Sequence, residues 1–398
     1  MSKQSSSAWL LDGFKIGDIF FASPTQQFRA RHGVDTLSTY APATSDTIKA
    51  LFDQADKQGN QDAILFGLVP FDARNPASLT IPAQYQQAPV PPRAAPQQAA
   101  STASDTSRPK AIERQPVPAP EVYGDMVRRA LELFAQGDVK KIVLSRAMDV
   151  TLDRPVDYEK LLPDLLARNA HGYTFAIPAW GIAGQADTPD TATPAGTMVG
   201  ASPELLVRRE GARIFVNPLA GSIGRHPDPE IDRARKEGLA ISEKDLREHS
   251  YVVSDIVRIL RSYCDELDVP DGPSVIGTDA LWHLSTYITG TLRDPEVTAL
   301  DLSCALHPTP AICGHPTDRA FQHIRELEPF ERGYFAGLVG WQRANGDGEW
   351  ALTLRCALQT GDRSLRLYAG AGTVAGSDPQ SEITETATKM ETFMRAIS

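Results

Sequence analysis

The stretch YFAGLVGWQRANGDGEWALTLRCALQTGDRSLRLYAGAG, residues 334 to 372, decides the fold. Three apolar runs, YFAGLVGWQ, EWALTLRCALQT and SLRLYAGAG, are separated by two turn signals, Asn345-Gly346 and Gly361-Asp362. Connections this short join antiparallel neighbours, because a parallel pair needs a crossover of about a dozen residues. The expectation is a three-stranded antiparallel meander with Arg355 on its middle strand.

Working outward, EVYGDMVRRALELFAQG (121 to 137) carries apolar residues at helical spacing and stops at Gly137. KKIVLSRAMDVTL (140 to 152) reads as a buried strand, and ELLVRREGARIFVNPLAG (204 to 221) as a hairpin turning at Glu210-Gly211. Helices are expected near 242 to 262 and from about Pro379. This order is α+β rather than regular βαβ alternation, with no internal repeat. Two stretches interrupt it. Residues 81 to 120 hold nine of the 30 prolines, with many Ala, Gln and Ser. They cannot bury enough apolar area to offset their ordering entropy, so a partly disordered surface excursion is expected, centred on about 83 to 110. GIAGQADTPDTATPAGT (181 to 197) reads as a mobile loop.

At 398 residues the chain is long enough for a substantial core, and 41% hydrophobic with 23% charged residues is ordinary for a globular protein. A formal charge of −10 makes nucleic acid and anionic membrane surfaces poor partners. The four cysteines form no C-x-x-C pair and suit reduced thiols. No signal-like or membrane-spanning apolar run is present, so a soluble, cytoplasmic protein is expected.

Two helical stretches carry the chemistry. In ISEKDLREHSYVVSDIVRIL (241 to 260), Ser242 and Asp245 form a capping-box pattern. Asp245 and Glu248 share a strip with Val252, Ile256 and Ile259, the apolar face. In QSEITETATKM (380 to 390), Glu382, Glu385 and Lys389 share a strip beside another apolar stripe. Ser377 or Asp378 can cap this helix, Pro379 suits its first turn, and Glu382 suits the dipole there. Glu385 and Lys389 could be a solvated i,i+4 pair. Carboxylates aimed at a core, however, cost several kcal/mol unless paired or bound to a cation. Four hard oxygen donors without His or Cys suit Mg²⁺. LYAGAGTVAGSD (367 to 378) resembles a dinucleotide fingerprint, but no second strand of a βαβ unit follows. The expectation is a glycine loop feeding a helix N-terminus, presenting N–H groups to a carboxylate, with a tight packed turn as the plainer reading. Lys141 and Glu204 each open a strand, where facing water is the commoner fate.

The segments KIVLSR, GASPELLVRR, NPLAGS, SEKDLREH, LWHLSTYITG, LHPTPAICG, ELEPFERGYFAGLVGW, LRCA, YAGAGTVAGSDP and ETATK together resemble the chorismate-utilising enzymes. Similarity extends to FFASP (20 to 24), PFDARNPASL (70 to 79) and IERQPVP (112 to 118), and so spans nearly the whole chain. The resemblance implies one catalytic domain over residues 1 to 398, two packed, mainly antiparallel sheets wrapped by helices, and a cleft for chorismate and Mg²⁺. Carried over position by position, it implies Lys141 as the base that activates water and Glu204 as the acid for the departing hydroxyl. Glu248 and Glu385 match Mg²⁺ ligands, supported by Asp245 and Glu382. Arg355, Gly370, Gly372 and Lys389 match carboxylate contacts, and Ser222, His283, Ala311 and Phe335 match the pocket lining.

Within the family, the pattern is most similar to the isochorismate synthases of catecholate-siderophore pathways. Aminating members carry glutamine at the Lys141 position, and aminodeoxychorismate synthases carry a nucleophilic lysine where Ala220 stands. Salicylate synthases share Lys141 and Glu204, but usually place a polar residue near Ala311 and tyrosine near Phe335. Menaquinone-linked isochorismate synthases perform the same reaction, so the pathway stays open here, as does a non-catalytic relative. The expected partners are chorismate and, transiently, a downstream isochorismatase, with the chain itself a monomer.

Overall fold

The middle run of the opening stretch is two strands, not one. In the computed structural model, which describes residues 8–31, 33, 36–91, 108–181, 194–278 and 281–397, it breaks into Gly348–Leu352 and Cys356–Gly361. Arg355 stands between them with a φ of 48°, in the left-handed region that a non-glycine residue adopts at a cost. Gly348–Leu352 pairs with Leu338–Arg343 in one sheet, whereas Cys356–Gly361 pairs with Ser364–Val374 in another. The expected meander is therefore two hairpins joined by a corner, and Arg355 is the corner rather than part of a strand. Backbone bonds hold the bend: Ala336 N–H donates to the Thr353 carbonyl and Thr353 N–H to the Gly337 carbonyl.

A second chain segment turns beside it. Gly196–Ser202 pairs with Cys356–Gly361 in the first sheet, and Leu205–Glu210 pairs with Gly348–Leu352 in the second. Pro203 and Glu204 form this second corner. Ala201 N–H donates to the Arg355 carbonyl at 3.1 Å and Leu352 N–H to the Glu204 carbonyl at 3.2 Å, so the corners are bonded to each other. Strands that switch from one packed sheet to another make corners of this kind.

Among the described residues the sheets hold ten and nine strands, with a third of three: Leu219–Gly224, Leu281–Ser285 and Ser274–Gly277. Pairing is antiparallel, as expected. Alternation along the strands divides the side chains between layers. Phe21 and Phe28 of the larger sheet meet Phe66 and Trp350 of the smaller one, with the Phe28 and Phe66 rings edge to face at 5.8 Å. Phe20, one residue away, packs on the opposite face with Leu161, Leu165, Phe393 and Ile397, which come from the helices Tyr158–Arg168 and Pro379–Ile397. Each fully buried Leu or Phe contributes about 1.5–3 kcal/mol relative to exposure.

The remaining elements follow the sequence closely: helix Pro120–Ala135, strand Lys141–Leu152, hairpin Leu205–Glu210 with Arg213–Asn217, and helix Glu243–Leu260. The glycine segment does not. Gly370 and Gly372 lie inside the Ser364–Val374 strand, opposite Ser145 and Val143, so they are not a loop feeding the helix. That turn comes later, at Gly376, where φ is 90°. The ends of the proline-rich excursion are also ordered: Tyr85–Pro89 pairs with Gln26–Ala30, and Ala111–Val117 with Lys141–Leu152. Extended, proline-bearing sequence suits such strands. The residues between, 92–107, and most of the second loop, 182–193, lie outside the described residues.

Candidate active site

The two corners open onto one cavity, walled by strands on one side and by two helices on the other. From the strand side, Glu204 is 5% exposed. Burial pushes its carboxyl up to about 7, although the Leu219 N–H donating to Oε1 at 3.1 Å and the charges of Lys141 and Arg355 pull it back. Arg355 is held down to about 10 by burial, against the favourable pull of Glu204. Its guanidinium donates to His283 Nε2 at 2.9 Å. Burial and the charges of Arg355 and Lys389 keep that imidazole well below its ordinary value, hence neutral. His283 faces Ser222 across the third sheet, and both line the cavity. Ala311 and Phe335 line it too, with the Phe335 ring stacked on Tyr368 at 5.1 Å.

Lys141 is placed differently. It is 1% exposed, begins the long Lys141–Leu152 strand, and lies behind the cavity wall with Nζ 2.9 Å from Glu248 Oε1. Gly372 makes this approach possible: a Cβ there would stand 2.8 Å from Glu248 Oε1 and 3.3 Å from Lys141 Cε. A Cβ at Gly370 would meet Ser145 Oγ at 2.6 Å. The two glycines matter for the side chains they admit.

The helix side brings together Asp245 and Glu248 from Glu243–Leu260, and Glu382, Glu385 and Lys389 from Pro379–Ile397. Ser242 accepts the Asp245 N–H, but the Asp245 carboxylate takes the Ser242 hydroxyl instead of its N–H, so only half of the expected capping box forms. The other helix is capped by Asp378, which accepts from Ser381 N–H at 2.8 Å. Burial and then the neighbouring Glu385 raise Glu382 to about 7; burial, and with it the charge of Glu248, also raises Asp245. Burial pushes Glu385 up as well, but the Lys389 ammonium 2.7 Å away, with the charges of Lys244 and Lys141, outweighs it and holds the carboxyl below its ordinary range. Lys389 also donates to the Gly370 carbonyl at 2.9 Å.

Four carboxylates on the helix side of the cavity, two of them raised in part by their neighbours' charge, are a donor set that suits a hard divalent cation. Among the described residues, no three Asp, Glu, His or Cys side chains already close around one point as a metal group would. Glu248 and Glu385 are engaged by Lys141 and Lys389 instead.

Sequence reasoning assigned no role to several nearby groups. Along the outer edge of Lys141–Leu152, Gly314–His315 covers Lys141 and Ile142, and Ala111–Val117 covers the strand from Ala147 onward. Between them, Arg332 donates to the Val143 carbonyl at 2.6 Å, and Glu328 accepts the Ser145 N–H at 2.7 Å. This buried ion pair stands in for a missing strand and satisfies the edge. His249 bridges the Ala220 carbonyl and the Thr286 hydroxyl, pinning the Glu248 helix to the third sheet. Glu328 and Arg332 are only four residues apart, but the strand edge they serve and the partners of His249 are distant in sequence, so neither role leaves a local signal.

Comparison with known proteins agrees with this architecture. A family model described as chorismate binding enzyme matches residues 81–398. The isochorismate synthase DhbC of Bacillus subtilis is 40% identical, with the match covering 99% of this chain and 97% of that one. The isochorismate synthase EntC of Escherichia coli K12 is also 40% identical, over 94% of this chain and 93% of that protein. The crystal structure of Bacillus anthracis DhbC, assigned as a 2,3-dihydroxybenzoate-specific isochorismate synthase, superposes with a TM-score of 0.85. It is 41% identical and the match covers 97% of this chain and 98% of that one.

Proposed function

The chain belongs to the chorismate-binding enzymes, and from that premise we propose that it is an isochorismate synthase, an isomerase making the precursor of 2,3-dihydroxybenzoate for a catecholate siderophore. The names of relatives about 40% identical over nearly the full length support this reading. The observation that carries the mechanism is Glu204, a buried carboxyl lifted to about 7 on the same cavity as the carboxylate-bearing helices.

Lys141 takes a proton from the water that attacks C2 of chorismate. Glu204 gives a proton to the C4 hydroxyl, which departs as water as the ring double bonds shift. One water enters and one leaves, so the product is an isomer. An acid near 7 is well matched to this work, since it is substantially protonated at neutral pH yet gives up its proton readily. Arg355, fixed by its corner, and Lys389 take the substrate carboxylates, while Ser222, His283, Ala311, Phe335 and the strand at Gly370 and Gly372 shape the pocket. When bound, Mg²⁺ supplies an electrophilic anchor for the ring carboxylate, held by Glu248 and Glu385 with Asp245 and Glu382 in support. The whole chain works as one catalytic domain in the cytoplasm, releasing isochorismate to an isochorismatase.

Incubation of the purified protein with chorismate and Mg²⁺, followed by mass and proton NMR analysis, tests the reading. Isochorismate is the expected product. Salicylate with pyruvate, or unchanged chorismate, would overturn it.

A further inference from the structure

Two ammonium groups stand where a cation is needed. Lys141 Nζ is 2.9 Å from Glu248 Oε1 and Lys389 Nζ is 2.7 Å from Glu385 Oε1. These are the two carboxylates assigned above as ligands. The other two, Asp245 and Glu382, are in no ion pair among the described residues. Both lysines are fixed in place. Lys389 is tethered to the Gly370 carbonyl, and the missing Cβ of Gly372 leaves the room in which Lys141 reaches Glu248. A divalent ion and an ammonium compete for the same carboxylate, because each needs that charge to offset its own desolvation.

We propose that Lys141 and Lys389 are built-in counter-ions that hold Glu248 and Glu385 until a divalent cation displaces them, freeing both amino groups for the ligand. This rests on reading the helix carboxylates as the ion site. Displacement releases Lys389 to a substrate carboxylate and Lys141 from its pairing with Glu248. A dianionic ligand that draws Lys389 away vacates Glu385 for the ion. Ion and substrate therefore favour each other's binding, and by thermodynamic linkage the coupling is reciprocal.

Binding of Mn²⁺ to the purified full chain, followed by electron paramagnetic resonance without chorismate, tests this apart from turnover. Lys389→Gln removes a contacting ammonium. Lys244→Gln removes an exposed ammonium on the same cavity that acts on Glu385 through its charge. Lys389→Gln is expected to bind Mn²⁺ about tenfold tighter than wild type, the scale of one charged hydrogen bond. Lys244→Gln is expected to gain less than about threefold, as for a screened charge. Equal gains in the two variants would reduce the effect to general charge and overturn the proposal, as would an unchanged affinity in Lys389→Gln. If wild type takes up no Mn²⁺ with or without chorismate, the ion site itself is refuted, and the counter-ion role falls with it.

Discussion

Glu204 and Glu382 face the same cavity and are both lifted to about 7, but by different means. Glu204 sits in a backbone corner between two sheets, where burial raises it and nearby cations oppose the rise. Glu382 sits on a helix, where burial is reinforced by another carboxylate one turn along. The strand side of the site thus fixes charge by topology, and the helix side fixes it by periodic neighbours. Topology holds a group in place whatever binds. Neighbouring charges can be rearranged by a ligand, which suits one side to proton transfer and the other to an ion.

The strongest way to break this contrast is to neutralise one side and look at the other. Glu204→Gln is expected to lower kcat by about 10³-fold while leaving Mn²⁺ affinity unchanged, and Lys141→Ala to lower kcat comparably. Steady-state kinetics beside an ion titration checks both; undiminished turnover in either would remove the assigned acid or base. On the helix side, Glu385→Ala is expected to raise the Mg²⁺ concentration for half-maximal rate by about 10²-fold, with excess Mg²⁺ restoring part of the rate. EDTA should abolish wild-type activity, and added Mg²⁺ should return it.

Acidity sharpens the contrast further. Glu204 donates when protonated, so kcat/KM is expected to fall as pH rises through about 7, by about tenfold per pH unit beyond it. Because its folded value lies above the ordinary 4.5, the native state holds the extra proton between those values. The associated stability is complete below the unfolded value and is lost as pH rises through the folded one. Glu204→Gln, neutral at every pH, should therefore show a higher Tm than wild type at pH 8 and little difference at pH 4. A matching thermal melt at both pH values would refute the buried-acid assignment. The smallest expected effect is Gly372→Ala, about fivefold on kcat/KM, because its Cβ would press on Glu248 and Lys141, the contact that joins the two sides.

The same division governs what could be read from the chain alone. Asp245, Glu248, Glu382 and Glu385 announce themselves because a carboxylate at helical spacing beside an apolar face is a local anomaly. Lys141 and Glu204 do not, since a strand-opening charge is ordinary until the fold shows both buried. Only family resemblance singled them out. The corner at Arg355 escaped because Thr353-Leu354-Arg355 contains neither glycine nor proline, the usual markers of a bend. Its cause is a second chain segment turning in parallel more than a hundred residues away. The glycines at 370 and 372 misled for a related reason: their partners, Ser145, Lys141 and Glu248, lie far off in sequence.

The paired corners also bear on how the enzyme fails. Ala201 with Arg355, and Leu352 with Glu204, are bonds between residues far apart in the chain. Both depend on the two sheets being assembled at once. Such non-local contacts form late in folding and carry little strength on their own. Heating should consequently extinguish turnover and tertiary structure in a single step, leaving no half-unfolded species that still works.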